Sequence, residues 1–146
     1  MRRKSKLLFF LGFCVFLICL YASRRRLRRS WRKRRYRRKL VRYRDILNRT
    51  PGGDEAVGIQ YMIGRILQVK LASFSEALQE YRKIVEGHAD HILADSALYN
   101  LGVCYEVLGD GARAEMTYLR LIRKYPGSSR LEDARLRLEE ISYFDR

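Results

Sequence analysis

His88 and His91 form an H-x-x-H pair, the residue types and spacing in this chain closest to a metal site. Two imidazoles can start a tetrahedral centre, but a stable one needs further ligands. The pair falls between two helical patterns and reads as polar loop residues. Gly-Asp-Gly at 109–111 lacks the downstream carboxylates of a calcium loop and reads as a turn. Glu139 and Glu140 are neighbours on a helix and point in different directions, unlike a working acid–base pair. Cys14, Cys19 and Cys104 are odd in number and stand at no metal or redox spacing. This inventory predicts no enzyme activity, no cofactor and no metal.

Charge remains. From Arg24 the chain reads RRRLRRSWRKRRYRRK. Arg24, Arg25, Arg26, Arg28, Arg29, Arg32, Lys33, Arg34, Arg35, Arg37, Arg38 and Lys39 make it a candidate surface for anionic lipid head groups or another polyanion. Trp31 and Tyr36 within the run suit base stacking, so a nucleic-acid partner, as in an RNA- or ribosome-associated protein, is an alternative. The charge is segregated. Residues 1–49 carry 19 Lys/Arg and one acid, a net +18, whereas 50–146 carry 12 and 15, a net −3. The basic character belongs to an arm rather than to the domain that follows it.

The elements that position these residues are helical throughout. LLFFLGFCVFLICLYA, residues 7–22, is uncharged and lies between basic clusters. Fourteen basic residues in 24–44 follow it, against four before it, which would retain the following chain on the cytoplasmic side. This pattern predicts a single-pass membrane protein with an uncleaved transmembrane anchor and a cytoplasmic C-terminal domain. A cleaved signal peptide is the alternative. The expected organisation is a basic flank at 1–6, an anchor at 7–23, a basic juxtamembrane helix at 24–49, a hinge at 50–55 and an all-α domain at 56–146. Tyr36, Leu40, Tyr43 and Leu47 form an apolar stripe near the end of the basic helix.

Beyond Pro51 the pattern repeats. Leu98, Leu101, Tyr105 and Leu108 share a 3-4-3 rhythm with Leu131, Ala134, Leu138 and Ile141, 33 residues on. Ala77, Tyr81, Ile84 and Val85 match Ala114, Tyr118, Leu121 and Ile122 at an offset of 37, and Gly64 matches Gly102 at 38. Such a period implies stacked helical hairpins. Glycine on one helix and alanine on the other allow close approach, with tyrosines filling the adjoining space.

Leu98, Leu101, Gly102, Tyr105, Ala114, Tyr118 and Pro126 together resemble a tetratricopeptide repeat, with leucine in place of the usual leading tryptophan. A degenerate repeat precedes it from about Gly58 to Ala89, with one extra residue between its helices. A helix from Arg130 to about Ser142 follows as a further first helix or cap. The resemblance implies a short solenoid of about five helices acting as an adaptor or scaffold, possible as an accessory subunit of a membrane complex. Its partner would be a protein or peptide segment held along the first helix of each hairpin. By position the groove candidates are Tyr61, Arg65, Gln68, Tyr99, Val103, Glu106, Glu132 and Glu139. The Lys and Asn that grip C-terminal carboxylates in one subfamily are absent here. Envelope proteins of this repeat class, delivered outside the cytoplasm, supply the rival topology.

Overall fold

The computed structural model describes residues 30–144, which divide into two compact units at 38/39. In the first unit, 30–38 are helical, with Trp31 65% exposed and Tyr36 half-buried. This is the start of helix α1, which covers 30–49; an uninterrupted run without Gly or Pro favours it, and Pro51 forbids its continuation. In the second unit Leu40 is buried, while Tyr43 and Leu47 are half-buried. Arg44 Nη2 of α1 lies 3.6 Å from Glu76 Oε2. Thr50 closes α1 by donating N–H and hydroxyl to the Ile46 carbonyl at 2.9 and 3.0 Å.

Five further helices follow: α2 (Asp54–Arg65), α3 (Phe74–Gly87), α4 (Ala94–Val107), α5 (Gly111–Lys124) and α6 (Leu131–Phe144). From α2 onward each packs chiefly on its neighbours in sequence, as stacked hairpins do. Gly53 enters α2 at φ 88 and Gly109 turns α4 into α5 at φ 81; both angles suit glycine. Asp110 then caps α5, its carboxylate accepting from Arg113 N–H at 3.1 Å. After Pro126, Ser128 Oγ accepts from Arg130 N–H at 3.0 Å and donates to Asp95 Oδ2 at 2.6 Å, tying the entry of α6 to α4.

The extra residue of the first hairpin has a definite place. α2 runs on into a π-helical segment, Ile66–Leu71, whose wider turns accommodate one residue more than an α-helix. Ser73 N–H closes it on the Leu67 carbonyl at 2.8 Å, with Ala72 in the left-handed region at φ 55. The insertion is thus absorbed inside the first helix, and α3 stays in register with α5.

The two hairpins share one packing device. An added Cβ at Gly64 would stand 2.7 Å from Tyr81 Cε1, and one at Gly102 only 2.5 Å from Tyr118 Cε1. Both rings and the facing Ala77 and Ala114 are fully buried. Tyr105 behaves differently: its hydroxyl accepts from Arg82 Nη2 at 2.9 Å.

The membrane-protein expectation requires correction. Its anchor, 7–23, lies outside the described residues, and among those residues no helix is long and apolar enough to cross a membrane. A span needs about 20 mostly apolar residues. The helices from α3 onward have 14 residues, α2 with its π-helical continuation carries Asp54, Glu55, Arg65 and Lys70, and the longer α1 carries ten Lys/Arg over 30–49. The fold is therefore an all-α helical repeat with no membrane-spanning helix among the described residues, and the single-pass assignment is set aside.

Candidate functional site

The candidate face lies on the first helices of the hairpins, α2 and α4, and on α6. Positions 61, 65 and 68 of α2 and its continuation recur in α4 at 99, 103 and 106, and in α6 at 132, 136 and 139. The structure separates these positions into two groups.

Tyr61, Tyr99 and Gln68 turn toward the protein. Tyr61 Oη accepts from Asn100 Nδ2 at 3.2 Å, joining α2 to α4, and its ring lies 5.9 Å from that of Tyr81. Tyr99 packs 5.8 Å from Tyr118 and lies under the Arg130 guanidinium at 5.4 Å. Gln68 is buried and accepts from Tyr81 Oη at 2.8 Å. These side chains link one helix to the next. Glu106 is half-buried, its Oε2 3.6 Å from Arg137 Nη1.

Arg65, Glu132 and Glu139 are exposed, and Val103 is half-buried. Three residues absent from the sequence reading accompany them: Val69, Val107 and Leu136, 54, 54 and 58% exposed. The signal was available, because Val69 and Val107 are related by the same offset of 38, and Val103 and Leu136 by 33. Apolar side chains open wholly or partly to solvent thus recur at equivalent positions of successive helices, with Arg65 on α2 and Glu132 and Glu139 on α6 on the same face.

Burial and polar neighbours fix the protonation states along this face. Arg65, bonded to Tyr61, and Arg137, bonded to Tyr99, have raised pKa values and stay charged. Burial pushes the Tyr81 hydroxyl well above the ordinary tyrosine range, and burial with the neighbouring Glu106 carboxylate does the same to Tyr118. The hairpins differ in one respect. At the positions of Tyr81 and Gln68 stand Tyr118 and Glu106, a phenol beside a carboxylate whose Oη and Oε1 are buried but do not reach the close geometry of the first pair. Tyr81→Phe therefore orphans Gln68 and is expected to cost about 1–3 kcal/mol. Urea titration of this variant checks the loss; an unchanged midpoint would contradict it.

Residues 96–128, which span α4, α5 and the turn beyond, match the tetratricopeptide repeat family model. Over this segment the chain is similar to a tetratricopeptide repeat. No curated protein matches it. Within the repeat, Leu98, Leu101, Gly102 and Tyr105 are buried on α4, Ala114 and Tyr118 are buried on α5, and Pro126 follows the end of α5. The preceding hairpin, outside the matched segment, reproduces the Gly–Tyr contact of the repeat.

The remaining candidates lie elsewhere. His91 Nδ1 accepts from Leu93 N–H at 3.1 Å just before α4, and its Nε2 is 3.8 Å from Asp54 Oδ1. No group of three His, Cys, Asp or Glu among the described residues is placed to hold a metal ion. Of the basic run, Arg24, Arg25, Arg26, Arg28 and Arg29 lie outside the described residues; Arg32, Lys33, Arg34, Arg35, Arg37, Arg38 and Lys39 are exposed on α1. The family match points to protein partners and lends no support to lipid or nucleic acid at this run.

Proposed function

We propose that this protein is a non-enzymatic adaptor that holds an extended segment of a partner protein along the α2–α4–α6 face. One observation carries the reading: solvent-accessible apolar residues, exposed Val69 with Val107 and half-buried Val103 with exposed Leu136, recur at equivalent positions of successive helices. A segment laid across the helices would meet one such side chain per repeat, with polar residues at its flanks, the usual anatomy of a recognition surface. The tyrosine links beneath keep the helices in place, so little ordering cost would fall on binding.

A photo-cross-linking residue at Val107 in the full chain identifies the partner, whose affinity is then measured directly. Val103→Asp/Leu136→Asp is expected to weaken that binding roughly 30-fold or more, since each apolar side chain contributes about 1–2 kcal/mol when partly buried. Both positions are at least partly open to solvent, so stability should change little. Undiminished affinity in the double variant would refute the assignment.

A further inference from the structure

A different face of α4 floors a cavity of about 280 Å³ between α3 and α5. Its floor is apolar and closed, formed by Val85, Leu98 and Leu101 at 2, 1 and 6% exposure. Its rim is cationic: Arg82 from α3, with Arg113 and Arg120 from α5, stand against the single acid Glu86. Arg82 has a phenol rather than a carboxylate as its partner, donating to Tyr105 Oη. Arg113 reaches over the Tyr105 ring at 5.9 Å and lies 3.4 Å from Asp110. Arg120 makes no ion pair among the described residues. Met116, 66% exposed, adds a flexible apolar edge.

We propose that this pocket binds an acidic segment of a protein partner, with an apolar side chain on the floor and adjacent carboxylates on the arginine rim. The volume falls just below the ~300–1,000 Å³ usual for small-molecule sites, which suits one side chain better than a cofactor. Guanidinium forks match carboxylates in a planar, two-bond geometry, and neither Arg82 nor Arg120 is held in an ion pair among the described residues. The chain's own basic arm is a poor occupant: residues 1–49 have net charge +18 and would meet like charge at the rim. The site is independent of the α2–α4–α6 face, because Leu98, Leu101 and Tyr105 project from another side of α4 than Val103 and Val107.

The test uses the full chain and a fluorescein-labelled peptide of alternating Glu and Leu, followed by anisotropy at physiological salt. Arg82→Gln/Arg120→Glu should weaken binding about tenfold, as should Ala for Leu in the peptide. Arg34→Glu/Arg35→Glu on α1 and Val103→Asp/Leu136→Asp should leave that pocket-dependent binding in place. If the double pocket variant loses helix by circular dichroism, Arg120→Glu alone carries the same test. Equal binding by the pocket variant and the parent would overturn the proposal, as would loss confined to the α1 variant. Pocket-dependent binding of a ribo-oligonucleotide tighter than that of the peptide would overturn it in favour of a nucleic-acid site.

Discussion

Gly102→Val is expected to destabilise the helical repeat by about 3 kcal/mol or more, and Gly102→Ala by about 1–2 kcal/mol. Helix propensity alone argues the other way, since alanine is about 1 kcal/mol better than glycine within a helix. Packing opposes it: the new Cβ would lie 2.5 Å from Tyr118 Cε1 and 2.7 Å from Cζ. The Tyr118 ring is fully buried and held against Tyr99, so relief requires backbone movement. Overpacking of this kind typically costs about 1–3 kcal/mol, and valine adds two methyls with restricted χ1. Gly58 supplies the control, because a Cβ there meets nothing within 4 Å; Gly58→Ala should be neutral or stabilising by up to about 1 kcal/mol. Urea unfolding followed by circular dichroism distinguishes these outcomes. Adding Tyr118→Leu to Gly102→Ala should recover part of the loss if the ring clash causes it. A Gly102→Val variant as stable as the parent would show that Tyr118 is not held as described.

The second large effect is alkaline. Burial pushes the Cys104 thiol from an ordinary 9.0 up to about 12. The unfolded chain therefore gives up this proton near pH 9 while the folded chain keeps it. With fewer protons on the unfolded state, stability falls as pH rises. The contribution is complete below about pH 9 and is lost between about 9 and 12, at up to about 1.4 kcal/mol per pH unit. Tyr81 and Tyr118, raised from 10.0, reinforce the loss above that value. Urea midpoints at pH 8, 9 and 10 should therefore decline more steeply in the parent than in Cys104→Ala. Because Tyr81, the group coupled to Cys104, stays protonated in the folded protein across this range, parallel slopes would refute burial of this thiol as the cause. At neutral pH the same burial makes Cys104 unreactive to thiol reagents until the chain unfolds.

Much of the fold was legible because the repeat is carried by small local patterns. Apolar residues at three and four assign helices, and the paired glycines and alanines mark where those helices meet. The offsets of 37 and 38 also revealed one extra residue in the first hairpin. They assigned it to the connection between the helices, whereas the structure takes it up inside the first helix. A π-helical segment and a longer loop satisfy the same count, and the choice depends on which keeps α3 packed against α2 and α4.

The candidate face was read less completely. Tyr61, Tyr99 and Gln68 stand at groove positions by spacing, but hydrogen-bond demand and ring packing with Asn100, Tyr81 and Tyr118 draw them inward. Those partners lie on other helices, beyond the reach of any single-helix pattern. Val69, Val107 and Leu136 sit one position further along or were passed over between acids, and their exposure became visible only with the neighbouring helices in place. The arginine pocket has the same origin. Arg82, Arg113 and Arg120 are unremarkable surface residues in sequence, and they converge because α3 and α5 both pack against α4.

The amino-acid sequence by itself determined the helices, their repetition and the separation of a basic arm from an acidic domain, since these depend on residue types at short spacing and on summed charge. The tertiary structure decided which tyrosines bind the helices together, where the inserted residue goes and which arginines share a pocket. Those outcomes depend on distances between residues some 13 to 40 positions apart, which helix periodicity leaves undetermined.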